Sequence, residues 1–179
     1  MRFNPAELDA RAARLRMLLL DVDGVLTDGS VLLDENGAES KSFFIRDGSA
    51  LIWARREGLQ VGLVSGRASA ATTRRAAELG IPITVQGVTD KAVAYTEILA
   101  ANGMKDDEVG YMGDDLLDLP VLMRVGLSAA PSDAADEVRS RVHWVSSQPG
   151  GRGAVREFVE FILKARGRWT PLVQSYGGR

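Results

Sequence analysis

From Gly58 onward, short apolar runs alternate with segments of helical period, and glycines stand at the joints. The runs are Val61-Gly62-Leu63-Val64, Ile83-Thr84-Val85, Val109-Gly110-Tyr111-Met112, Gly126-Leu127-Ser128 and Val142-His143-Trp144-Val145. Between and after them lie helical patterns over about 68–79, 90–101, 116–124, 133–138 and 153–165. Strands that alternate with helices pair in parallel, because each crossover carries the chain back over one face of the sheet with a right-handed turn. The fold class expected is therefore α/β, a Rossmann-like parallel sheet with helices on both faces.

The first part of the chain supplies two further pieces. Pro5 suits a first helical position, and Leu8, Ala12 and Leu15 share one face of a helix over about 5–15. Met17-Leu18-Leu19-Leu20 is a continuous apolar run that ends in Asp21, Asp23 and Gly24, the mark of a strand buried on both faces. The segment 29–45 differs: Val31-Leu32-Leu33 and Ser42-Phe43-Phe44-Ile45 flank Asp34-Glu35-Asn36-Gly37, and Asn-Gly signals a β-hairpin. A helix over about 48–57 follows, and the tail 167–179 reads as an extended or mobile arm.

Composition removes several function classes. A chain of 179 residues forms one domain, here 1–179, with room for a substantial core. With 22 Lys+Arg against 24 Asp+Glu it lacks the basic excess of a nucleic-acid or membrane-surface protein. No apolar run reaches the roughly 18 residues of a spanning helix, and the charged start MRFNPAELDARAARLR has no signal-peptide core, so a cytoplasmic protein is expected. The absence of Cys excludes disulfides, thiolate metal sites and cysteine nucleophiles. His143 stands alone, which excludes a His-clustered metal site and leaves a triad only formally open. Any metal must then be held by oxygen, which points to Mg²⁺ or Ca²⁺.

In parallel sheets ligands bind at the carboxyl ends of the strands. Asp21 and Asp23 follow the first strand, and Ser65, Gly66 and Arg67 follow the next. Lys91 opens a helix after Thr89-Asp90, and Gly113, Asp114 and Asp115 follow Val109–Met112, with Asp118 a turn later. Each feature alone is commonplace: loop acids, a Ser-Gly helix cap, a surface lysine. Together they gather four carboxylates, a hydroxyl and an ammonium at one sheet edge, where like charges repel unless a cation neutralises them. Asp114 and Asp118 converge if a helix begins at Asp114. The Ser65 hydroxyl, backbone N–H groups and Lys91 suit phosphate oxygens. The chemistry indicated is metal-assisted phosphoryl transfer.

Leu18-Leu-Leu-Asp-Val-Asp-Gly-Val-Leu-Thr-Asp-Gly29 resembles the first motif of the haloacid dehalogenase superfamily. Val64-Ser65-Gly66-Arg67 is similar to its second, Lys91 to its third and Gly113-Asp-Asp-Leu-Leu-Asp118 to its fourth, in the same order. The resemblance implies that Asp21 is the nucleophile and Asp23 the general acid and then base. It implies Mg²⁺ held by Asp21, the Asp23 carbonyl and Asp114, with Asp118 in support, and phosphate held by Ser65, Gly66 and Lys91. Neither inter-motif gap has room for a cap domain. The chain further resembles the capless branch of 3-deoxy-D-manno-octulosonate (KDO) 8-phosphate phosphatases of lipopolysaccharide biosynthesis. The shared segments are Val25–Gly29, Phe44–Gly48, Gln86–Lys91 and Gly150–Glu157. That branch implies a homotetramer in which the hairpins form a small barrel; the alternative is a hairpin that folds onto its own sheet.

The resemblance also implies a phosphorylated sugar acid as substrate. Arg67 matches the KDO branch, whereas the related nonulosonate 9-phosphate branch tends to carry Glu there. Arg75 is a second candidate for the acid's carboxylate, and Arg152 a weaker one. Three other classes fit less well, the first being a non-catalytic relative of the same fold, since every catalytic position is filled. A receiver-like phosphate-binding module places its acids in a different order, and a dinucleotide binder needs G-x-G-x-x-G where this chain has Asp-Val-Asp-Gly.

Overall fold

A computed structural model describes residues 4–177. Its centre is strand β1 (Met17–Leu20), whose four residues are all buried. Leu18 and Leu20 point into one core and Met17 and Leu19 into the other, as the two-residue period of a strand requires. Helix α1 (Pro5–Arg14) precedes it, with Asn4 accepting the Ala6 N–H at 3.0 Å as N-cap. Then come β2 (Leu32–Leu33), β3 (Glu39–Ser40), α2 (Ile45–Arg56), β4 (Gln60–Ser65), α3 (Ala70–Glu78), β5 (Ile83–Gln86) and α4 (Lys91–Asn102). The second half runs β6 (Val109–Met112), α5 (Leu119–Leu122), β7 (Leu127–Ala130), α6 (Asp136–Arg139), β8 (Trp144–Val145), α7 (Ala154–Ala165) and α8 (Trp169–Ser175).

Six strands form one parallel sheet in the order β5-β4-β1-β6-β7-β8. One face packs on α1, α2 and α7, the other on α4, α5 and α6, so both faces carry helices as expected. The chain goes outward from β1 to β4 and β5, then returns to β6 on the other side of β1. That reversal opens a crevice between the carboxyl ends of β1 and β6, where such sheets bind ligands. No cap domain is inserted; β2 and β3 form a separate two-stranded antiparallel hairpin. Among the described residues no helix is long and apolar enough to cross a membrane.

Several expected boundaries move. The return strand of the hairpin is Glu39–Ser40 rather than Ser42–Ile45, because Phe43 turns inward onto the core and Phe44 already stands before α2. Helix α2 thus starts at Ile45, three residues early. The expected helix from 116 is a 3₁₀ turn, Leu116–Asp118, followed by the short α5. The helix expected over 133–138 is shifted to Asp136–Arg139, and β8 begins at Trp144.

The tail is not an extended arm as far as it is described: it folds as α8, while residues 178 and 179 lie outside the described range. Leu172 is buried, and the Arg156 guanidinium stacks on two indoles, 4.2 Å from the Trp53 ring centre and 5.4 Å from that of Trp169. Trp53 donates its ring N–H to the Tyr176 hydroxyl at 3.1 Å. On the same helix α7, Phe158 and Phe161 stack against Trp144.

Candidate active site

The parallel ladder carries Asp21 to the crevice: its N–H donates to the Met112 carbonyl at 3.0 Å, one step past the end of β1. Asp21, Asp23, Ser65, Gly66, Arg67, Lys91, Asp114, Asp115 and Asp118 line one cavity of about 300 Å³ with Gly29 and Leu117. Lys91, at the first position of α4, reaches across to place its ammonium 2.9 Å from Asp21 Oδ1 and 2.6 Å from Asp118 Oδ1. Asp90 caps that helix by accepting from Ala92 and Val93 N–H, so the ring of charges rests on a fixed helix start.

Asp118 is saturated. Its Oδ1 accepts from Lys91 and from the Tyr111 hydroxyl at 2.6 Å, and its Oδ2 from the Asp114 and Asp115 N–H groups at 3.1 and 3.2 Å. Asp114 is the opposite case, with a buried Oδ1 that no donor meets. The two converge through the 3₁₀ turn capped by Asp115, not through a helix begun at Asp114. Gly24 makes room for Asp114: it has φ +92°, and a Cβ there would collide with the Asp114 carboxylate.

Asp21, Asp114 and Asp118 each bring an oxygen to a common point, all within 4.8 Å of one another. Burial first, then the Asp21 and Asp118 charges, push Asp114 up to about 8. Burial and Asp118 push Asp21 up to about 6 against the pull of Lys91. Burial works against the Lys91 charge as well, yet Asp21 and Asp118 outweigh it and its pKa is raised. Burial and the neighbouring Asp118 also raise Tyr111 well above the ordinary tyrosine value, so it stays a hydroxyl donor. The acids carry more negative charge than Lys91 cancels, and one free buried oxygen faces the gap. Such a set fits a hard divalent cation, with Asp21 and Asp114 as carboxylate ligands and Asp118 holding the frame.

The sequence did not single out Glu39, Lys41 or Tyr111. Lys41 leaves the hairpin, buries its ammonium with only 1% of the side chain exposed, and pairs with Asp23 Oδ1. It also lies 3.3 Å from Glu39 Oε1, while Glu39 Oε2 accepts from Arg67 Nη2 at 2.6 Å and Arg67 Nε lies 3.9 Å from Asp23 Oδ2. Two cations and two carboxylates thus alternate around a closed ring. A lone Lys after a two-residue strand carries no pattern that sequence could flag. Tyr111 carried a faint one, as a polar-tipped residue in an otherwise apolar strand.

Ser65 ends β4 fully buried, and its Oγ accepts the Arg67 N–H at 3.3 Å. Arg75 is not among the cavity-lining residues. It lies further along α3, paired with Glu78 at 2.9 Å and set over the Phe43 ring. Arg152 stays at the surface 4.0 Å from Asp28. The glycines beside it, Gly150 and Gly151, press against the backbone of Gly24 and Thr27, where any Cβ would collide. That segment therefore braces the Asp21–Asp23 loop from behind.

A doubly wound parallel sheet with an aspartate pair, a serine and a lysine at its switch point defines a hydrolase of the haloacid dehalogenase-like class, and residues 81–158 match that family's model. Along its length the chain is 40% identical to 3-deoxy-D-manno-octulosonate 8-phosphate phosphatase of Escherichia coli strain K12, over 163 residues covering 91% of this chain and 87% of the relative. The Yersinia pestis enzyme of that name is 42% identical over 87% of this chain and 83% of its own. A crystal structure of the Moraxella catarrhalis phosphatase in complex with magnesium, phosphate and KDO superposes with a TM-score of 0.93 at 32% identity, covering 95% of this chain and 98% of that one. The chain belongs to the KDO 8-phosphate phosphatase family.

Proposed function

We propose that the protein is a Mg²⁺-dependent phosphatase that hydrolyses KDO 8-phosphate through a phosphoryl-aspartate on Asp21. The observation that carries this reading is the charge-unbalanced set of Asp21, Asp114 and Lys91 at the switch point, with the unpartnered Asp114 oxygen turned into it. When bound between Asp21 and Asp114, Mg²⁺ supplies Lewis-acid neutralisation of phosphoryl charge and lets both carboxylates ionise together.

Lys91, Ser65 and the N–H of Gly66 receive the phosphoryl oxygens, and Asp118 keeps Lys91 aimed at them. An Asp21 oxygen attacks phosphorus while the ester P–O bond breaks, and the Asp23 carboxyl gives its proton to the departing alkoxide. The resulting Asp23 carboxylate then takes a proton from water. The hydroxide so formed attacks phosphorus, breaks the Asp21–phosphoryl bond and returns the carboxylate.

Arg67 lines the cavity and is assigned to the sugar acid's carboxylate in preference to Arg75, which does not. Val31, Leu32, Leu33 and Ile45 lie in the open at 44%, 68%, 60% and 76% exposure, an apolar surface that assembly as a homotetramer would cover. Phosphate release from a panel of eight- and nine-carbon sugar-acid phosphates and neutral sugar phosphates, with Mg²⁺ and with chelator, tests the function. The expectation is fastest turnover of KDO 8-phosphate and none in chelator. Equal rates across the panel, or activity in chelator, would overturn it.

A further inference from the structure

We infer that Glu39 is a built-in competitor for the substrate: it occupies Arg67 in the free enzyme and yields it to the carboxylate of an incoming sugar acid. The inference rests on the phosphatase reading above and adds a specificity-determining residue to it. In the ring of Lys41, Asp23, Arg67 and Glu39, only the Arg67 side chain is substantially exposed, at 52%, and of the ring's two cations it is the one that lines the cavity. An anion entering the cavity therefore meets Arg67 and not Lys41, which is sealed at 1%.

Glu39 is the partner that can be exchanged. It makes the short contact to Arg67, 2.6 Å against 3.9 Å for Asp23, so the guanidinium edge a ligand needs is the one Glu39 holds. Exchange does not strand its charge, because Glu39 Oε1 stays 3.3 Å from the Lys41 ammonium. One carboxylate replaces another on Arg67, so the guanidinium keeps a counter-charge throughout. A neutral sugar phosphate offers no such replacement and leaves the Glu39–Arg67 pair closed. Glu39 sits on a two-residue strand outside the main sheet, where its side chain is not locked by a neighbouring strand on each side.

Removing the competitor should favour carboxylate-bearing substrates selectively. Glu39→Gln keeps the shape and deletes the charge. The ratio of kcat/KM for KDO 8-phosphate to that for a neutral sugar phosphate should rise about two- to fivefold, the range a partly exposed ion pair is worth. A general gain in positive potential would move both substrates and leave the ratio alone. Glu39→Asp, one methylene shorter and still charged beside Lys41, should shift the ratio the same way if the Gln variant folds poorly.

In an Arg67→Gln background the Glu39 substitution should have no effect on the ratio. An unchanged or lower ratio in Glu39→Gln and Glu39→Asp, or a rise that persists without Arg67, overturns the inference. Failure of the wild type to turn over any sugar-acid phosphate while it hydrolyses neutral ones brings down the functional reading itself. A normal wild type with an unmoved ratio brings down only the role of Glu39.

Discussion

The crevice edge and the hairpin treat charge in opposite ways. At the crevice, Asp21, Asp114 and Asp118 outnumber Lys91, and burial lifts Asp21 and Asp114 well above the ordinary carboxylate range. At the hairpin, Lys41, Asp23, Arg67 and Glu39 balance one another two against two. An unbalanced buried cluster stores unfavourable energy that only a ligand relieves, whereas a balanced one fixes geometry by itself. The crevice is thus built to take up a cation, and the ring to hold the hairpin on the Asp21–Asp23 loop with Asp23 and Arg67 turned to the cavity.

Substitutions at each region should show that contrast. Asp21→Asn should lower turnover on the order of 10⁴-fold or more, because it removes the proposed nucleophile, and yet raise the melting temperature in chelator by relieving repulsion. Calorimetry that finds a clear loss of stability would remove the contrast. Asp23→Asn should cost about 10² to 10⁴-fold in phosphate release, the usual worth of a general acid–base group, the role proposed for it. Its effect should be larger on alkyl than on aryl esters, whose leaving groups need little protonation.

pH sharpens the comparison further. Asp21 and Asp114 bind a proton more tightly in the folded chain, with values of about 6 and about 8, and Asp47 shares the lower one. The stability they lend is complete below their unfolded values and drains away as pH rises through 6 and then 8. The metal-free protein should therefore melt several degrees lower at the alkaline end of that window than at the acid end. Saturating Mg²⁺ should flatten the fall. A metal-free melting curve independent of pH would argue that the crevice is not strained.

Smaller effects come from the edges of each region. Tyr111→Phe removes one buried donor from Asp118, which keeps three others, and should cost about 1–2 kcal/mol in urea unfolding. Leu32→Asp should change the stability of the single chain by no more than about 0.5 kcal/mol, since the side chain is already exposed. If the proposed tetramer forms, sedimentation should show it for the unaltered protein and lost in this variant; an intact tetramer in the variant would place the interface elsewhere.

The same contrast explains what could be foreseen from the residues. Met17–Leu20 reads as a doubly buried strand because nothing polar interrupts it, and the acids after it fall at the crevice by topology alone. The candidate site residues Asp21, Asp23, Ser65, Lys91, Asp114 and Asp118 follow from strand ends and the turns after them, a short-range property. Glu39 and Lys41 do not, because their partners are set by how the hairpin leans, which no local period encodes. Phe43 and Phe44 fit a strand by propensity, but the pull of the core on Phe43 ended the hairpin early. The tail misled in the same way: Trp169 and Leu172 become part of a helix, with Tyr176 at its end, against Arg156 on the preceding helix and Trp53, more than a hundred residues away in the chain.

That aromatic packing has a practical consequence. All three tryptophans of the chain lie against α7: Trp53 and Trp169 on Arg156, and Trp144 on Phe158 and Phe161. Intrinsic fluorescence therefore watches the outer helical layer and is blind to the crevice. An emission change on adding ligand would mean that a shift of the Asp21–Asp23 loop had passed through Gly150 and Gly151 into α7, and a silent titration would say only that this helix stood still.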